Sequence, residues 1–106
     1  MLQVLPVSCD VRDVNSVSTA VSNCIDTFGL PSIVINNAAG NFISPTERLS
    51  PNAWKTVNDI VMMGTANVTL DIGKRLIAAS LGTLTAVAHA QLHVLYRLPP
   101  CTNARF

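Results

Sequence analysis

Residues 32–40 read SIVINNAAG, and they restrict the fold more than any other part of the chain. Ile33, Val34 and Ile35 are consecutive β-branched residues with no polar alternation, which favours a strand. A run of this kind fits a strand covered on both faces, the setting of a parallel sheet. Two amides, Asn36 and Asn37, end the run, and three small residues follow, Ala38, Ala39 and Gly40. A chain this narrow at a strand end lets a flat ligand lie close to the backbone.

The flanking segments have different periods. Upstream, Val14, Val17, Val21, Cys24, Ile25 and Phe28 fall on one helical face. Asp13 is placed to cap that helix and Gly29 to stop it, and Leu30-Pro31 turns the chain. Before it, residues 2–7 carry Val4, Leu5 and Val7 and read as a buried strand. Pro6 puts a strand end or an edge there. Strand, helix, strand in that order is a βαβ crossover. Downstream, residues 37–49 form an irregular loop, of a length that is usually functional. Ser50-Pro51 then opens a second helix, with a capping hydroxyl and proline at the first helical position. Trp54, Val57, Ile60, Val61, Gly64, Val68, Ile72 and Leu76 recur at helical spacing, so this helix is predicted to reach about Ala79. Gly64 and Gly73 each cost it about 1 kcal/mol relative to alanine, and close packing is the usual compensation.

Composition limits the function classes. A chain of 106 residues is one small domain at most. Its net charge is +1 and it has no basic run, which gives nucleic-acid binding no support. Charged residues make up only 12% of it, well below the usual quarter, so part of its surface is expected to need cover from other segments. Cys9, Cys24 and Cys101 make neither a metal spacing nor a disulfide framework. Cys9 and Cys24 are expected to be buried thiols in a reducing compartment. The N-terminal residues match neither a signal peptide nor an arginine-rich transit sequence. Residues 76–96 hold no Asp, Glu, Lys or Arg and are long enough to span a bilayer. Two histidines, a glutamine and many small or polar residues favour instead a third strand followed by a disordered tail.

The strand-end sequence Asn36-Asn37-Ala38-Ala39-Gly40 resembles the Asn-Asn-Ala-Gly motif of the short-chain dehydrogenase/reductase family, with one extra alanine. The continuous run NAAGNFISPTERLSPNAWKT narrows the resemblance to a branch that reduces unsaturated fatty acyl thioesters. The resemblance covers about residues 2–79, read as a partial dinucleotide-binding domain, and leaves residues 80–106 as a divergent tail. It implies an α/β fold, a partial Rossmann-type doubly wound parallel sheet, with ligands beyond the carboxyl ends of the strands. It implies NADPH as cofactor, a fatty acyl-CoA (a 2,4-dienoyl-CoA) as substrate, a place in mitochondrial β-oxidation and a homo-oligomeric assembly. Asp10 would accept a hydrogen bond from the adenine amino group, and Val11 would lie against the adenine ring. Asn36, Ala38 and Gly40 would line the cofactor's ribose. Asn41, Phe42 and Ser50 would contact the acyl-CoA, Ser50 also capping its helix.

The family pattern is incomplete in this chain. The glycine-rich phosphate loop has no counterpart, and neither has the basic residue that selects the cofactor's 2′-phosphate. The catalytic tyrosine and the lysine four residues beyond it are missing, since Tyr96 is the sole tyrosine and Pro100 stands where the lysine would be. Lys55 and Lys74 lie far from Tyr96 in sequence. The family's helix asparagine falls on Met63, which cannot hydrogen-bond in the same way. No catalytic residue is therefore expected, and the isolated chain is expected to be inactive and at best marginally folded. An altered reading frame, alternative splicing or a wrong gene model would each account for the tail.

Overall fold

The computed structural model describes residues 3–79 and the backbone of residues 85–88. Helix α1 spans Val14–Phe28. The Asp13 carboxylate caps it by accepting from the Asn15 N–H at 2.9 Å. Gly29 ends it at φ 83°, where a side chain would be strained, and donates its N–H to Ile25 O at 2.8 Å. Strand β1 is Ile33–Asn36. The loop after it is irregular but for a short 3₁₀ turn at Thr46–Arg48.

The second helical segment is continuous but not uniform. Helix α2, Pro51–Asn58, starts where Ser50 Oγ accepts from the Ala53 N–H at 3.1 Å. A π turn, Asp59–Met63, follows, closed by the Gly64 N–H donating to Asp59 O five residues back. Helix α3 then runs Gly64–Ala78. A π turn inserts one residue into the helical repeat, so the apolar face before it and the face after it are offset. Strand β2, Thr85–Ala88, pairs in parallel with β1, in the register Ile33–Thr85 to Asn36–Ala88.

The core is small. Val17 and Val21 of α1, Val34 of β1, and Ile72 and Leu76 of α3 are buried together, with Ile25, Leu30 and Val68 packed beside them. Arg75 ties the two helices across this layer. Its Nε donates to Asp71 Oδ1 at 2.7 Å, its Nη1 to Ser22 Oγ at 3.0 Å, and its Nη2 to the carbonyl and hydroxyl oxygens of Ser18. Val14 and Phe28, at the ends of the predicted α1 face, are exposed.

Three expectations are corrected. Residues 3–7 form no strand and are exposed. The resemblance maps residues 2–7 onto the third strand of a doubly wound sheet and residues 32–36 onto the fourth, and in the order 3-2-1-4-5-6 these are not neighbours, so this segment has no place beside β1. Its partners in that order have no counterpart among the described residues, and Pro6 removes one donor besides. The parallel pairing of β1 with β2 fits an adjacent pair of that order such as the fourth and fifth strands. Second, β1 is covered on one face only: Val34 and Asn36 are buried beneath the helices, while Ile33 and Ile35 are 63% and 68% exposed. Third, Cys9 is exposed and Cys24 half-buried, because none of the described residues covers the segment carrying Cys9. Among the described residues no helix is long and apolar enough to cross a membrane. Residues 80–84 and 89–106, with the tail, Tyr96, Pro100, Cys101 and most of the candidate membrane span, lie outside the described residues.

Candidate functional site

A cleft of about 100 Å³ opens where β1 ends. Three pieces of chain line it: Val11 from the turn before α1, Ile35 to Ala38 at the strand's carboxyl end, and Ile60, Gly64, Thr65 and Val68 from the helical segment. A complete small-molecule pocket occupies roughly 300–1,000 Å³. This cleft therefore has room for about one ring or sugar and not for the whole of a dinucleotide.

Each wall has a physical cause. Gly64 lets the helix touch the Val11 turn: a Cβ there would lie 2.5 Å from Val11 Cγ2. Three residues on, Asn67 Nδ2 donates to Val11 O at 2.9 Å and fixes the same turn from the same helix face. Asn36 is buried, and its Nδ2 donates to Thr69 Oγ1 at 3.2 Å. That bond anchors the strand end on α3 and satisfies a buried amide that would otherwise be costly. Its side chain is thus committed to the scaffold, and the small, exposed Ala38 is what the strand end leaves open toward solvent.

The structure gathers part of the predicted site. Val11, Asn36 and Ala38 of the expected cofactor set line one cleft. Asp10 adjoins Val11 and does not line it. Gly40 is turned to a different use: a Cβ there would lie 2.8 Å from Ile60 Cδ1, so its missing side chain makes room for the chain's own isoleucine. Asn41 and Phe42 are exposed and Ser50 caps α2, and none of the three lines the cleft. Met63 sits on the π turn, 53% exposed, with no donor to offer.

The sequence reading missed Arg12, Thr65 and Asn67. It placed Ile60, Gly64 and Val68 on an apolar helix face without showing that the face turns into the cleft. The π turn that does this leaves no mark on a simple 3.6-residue period. Arg12 forms a fork on Asp10: Nε donates to Oδ1 at 2.9 Å and Nη2 to Oδ2 at 2.7 Å. This guanidinium contact, with the Arg12 backbone N–H, holds the Asp10 carboxyl down at about 2. The same partner raises the Arg12 guanidinium.

A model of the short chain dehydrogenase family matches residues 1–92, which takes in β2 and passes the boundary near Ala79. The chain is 47% identical over 87 residues to a probable 2,4-dienoyl-CoA reductase 3 of Caenorhabditis elegans, covering 80% of this chain and 28% of that protein. It is 49% identical over 65 residues to the peroxisomal 2,4-dienoyl-CoA reductase of Danio rerio, covering 61% of this chain and 22% of that one. Among solved structures, a short chain dehydrogenase from Bacillus anthracis superposes with a TM-score of 0.70 at 40% identity, over 74% of this chain and 33% of the other. The chain thus spans under a third of the curated relatives it matches.

Proposed function

The chain belongs to the short-chain dehydrogenase family, and from that premise we propose that it is a segment of an NADPH-dependent 2,4-dienoyl-CoA reductase. Its described part supplies one wall of the cofactor site and no proton-transfer machinery. The observation that carries this reading is the cleft at the carboxyl end of β1, where Val11, Asn36 and Ala38 meet in a sheet whose two strands are parallel. Ligands of open α/β sheets bind at that end.

NADPH, when bound, supplies the hydride for reduction of the conjugated acyl thioester. On this reading Asp10 and Val11 hold the adenine, and Asn36, Ala38 and Gly40 border the ribose. Asn36 acts by anchoring the strand end, and Gly40 by seating the loop on Ile60. The cleft fits one part of the cofactor by volume. Asn41, Phe42 and Ser50 belong to the thioester side, away from the cleft. Proton delivery by a positioned group contributes about 10²–10⁴ in rate. With Met63 at the helix-asparagine position, the isolated chain has no means to gain that factor there. The test is NADPH consumption by the purified chain with a 2,4-dienoyl-CoA. No turnover is expected, and clear turnover would overturn the assignment of inactivity.

A second reading has its own observation. Trp54, Met62, Met63, Leu70 and Ile77 are all large, apolar and more than 40% exposed along α2, the π turn and α3. Such a run suits a subunit contact, so the chain would pair with complete reductase subunits without catalysing. Co-purification with a complete reductase tests this, and no retention removes it. For location we retain the mitochondrion, with participation in fatty-acid β-oxidation. The relatives from Danio rerio and Mus musculus are named peroxisomal, and organelle fractionation decides between the two.

A further inference from the structure

The turn before α1 is locked at more points than a connection requires. The Asp10 N–H donates to Ser16 Oγ at 2.9 Å, and Asp10 O accepts from the Asp13 N–H at 3.0 Å. Val11 is held by Asn67 and stacked against Gly64. With the backbone fixed, the remaining freedom belongs to the Asp10 side chain, and Arg12 removes it. Oδ1 accepts from both the Arg12 N–H, at 3.0 Å, and Nε, at 2.9 Å. Oδ2 accepts from Nη2 at 2.7 Å and, more weakly, from Nε at 3.2 Å. The charge of Asp59 at the start of the π turn also favours the charged Arg12 without touching it, and Asp59 pairs with Lys55. The signs alternate along this row, Lys55, Asp59, Arg12, Asp10, from the helix to the rim of the cleft.

A carboxylate offers about four lone-pair sites. Arg12 fills those of Oδ1 and the nearer one of Oδ2, so Oδ2 keeps an acceptor site. Both side chains are about half-exposed, so this site remains open to a ligand. Resting on the nucleotide reading above, we propose that Arg12 is a positioning residue for base recognition. Its fork fixes the Asp10 carboxylate so that Oδ2 accepts from an exocyclic amino group of a purine lying on Val11. The ligand class selected is a 6-aminopurine nucleotide. A 6-oxopurine would turn a carbonyl oxygen toward the carboxylate and be repelled. A lysine would not replace this arginine, because the planar fork sets the orientation.

The experiment titrates the ¹⁵N-labelled full chain with ADP and, separately, IDP, following the Val11 and Ala38 amides. It is repeated for Arg12→Ala, Arg12→Gln, Asp10→Asn and the double variant Asp10→Asn/Arg12→Ala, with the fold of each checked from its amide spectrum. The chain is expected to prefer ADP about tenfold, the scale of one hydrogen bond to a charged group. Arg12→Ala and Arg12→Gln should cut the preference to about twofold. In the Asp10→Asn background, removing Arg12 should change nothing further. If either Arg12 variant weakens ADP and IDP equally, or if the effects of Asp10→Asn and Arg12→Ala simply add, Arg12 does not act through Asp10 and the proposal falls while the nucleotide reading stands. If ADP moves neither amide, the nucleotide reading itself fails and takes the proposal with it.

Discussion

One substitution, made at two places in one helix, should have opposite effects. Gly64→Ala and Gly73→Ala each replace a helical glycine of α3 and each bring about 1 kcal/mol of helix propensity. At Gly73 the new methyl meets no atom of the described residues within 4 Å, so the gain is kept. At Gly64 it would lie 2.5 Å from Val11 Cγ2 and 3.0 Å from Val11 Cβ. Valine is stiff at χ1, so the clash is relieved only by moving the turn or the helix. Overpacking of this kind costs about 1–3 kcal/mol. Displacing Val11 also strains the bond from Asn67, at about 1 kcal/mol more. Gly64→Ala is therefore expected to destabilise by about 1–3 kcal/mol, and Gly73→Ala to stabilise by about 1 kcal/mol. A separation of about 2–4 kcal/mol corresponds to roughly 10–30 °C in the midpoint of a domain this small. Thermal and urea unfolding followed by far-ultraviolet circular dichroism measures it, with unchanged urea slopes as the condition for comparison. Equal stabilisation by both substitutions would refute the close seating of α3 on the Val11 turn.

Ser50→Ala removes the α2 cap and should cost about 1 kcal/mol in the same assay. Arg75→Met keeps the apolar stem but loses the bonds to Asp71, Ser22 and Ser18. It should destabilise by about 1–2 kcal/mol, since the group is only partly exposed. Asp10 titrates at about 2 in the folded chain, against an ordinary 3.8. A lowered folded value means that its contribution is complete above about pH 4 and fades as the pH falls toward 2. Stability from this pair should be flat through neutral pH, and a ¹³C carboxyl titration should show the Asp10 value rising toward 3.8 in Arg12→Ala.

Local signals in the sequence were easy to read. Asp13, Gly29 and Ser50 cap or stop helices where their chemistry requires, since capping depends on a few adjacent residues. The parallel pairing of β1 agrees with the expectation from its unbroken β-branched run, although the two-sided cover behind that expectation is absent among the described residues. What lay beyond the sequence depends on partners distant in the chain. Residues 2–7 have strand composition, but a strand exists only beside another, and the described residues hold no strand next to them. Ile33 and Ile35 have the composition of buried residues, but the described residues supply no layer to bury them. Gly40 is expected to leave room for a ligand, but the space beside it holds Ile60. The π turn and the Arg12 fork are matters of register and rotamer, which residue type does not encode.

The central claim is that the cleft at the end of β1 receives part of a nicotinamide nucleotide. Titrating the ¹⁵N-labelled chain with NADPH tests it directly. The amides of Val11, Asn37, Ala38 and Thr65 should shift together along one saturable curve, while those of the α1 face remote from the cleft stay still. An unchanged spectrum, or shifts gathered on the α1 face remote from the cleft instead, would contradict it.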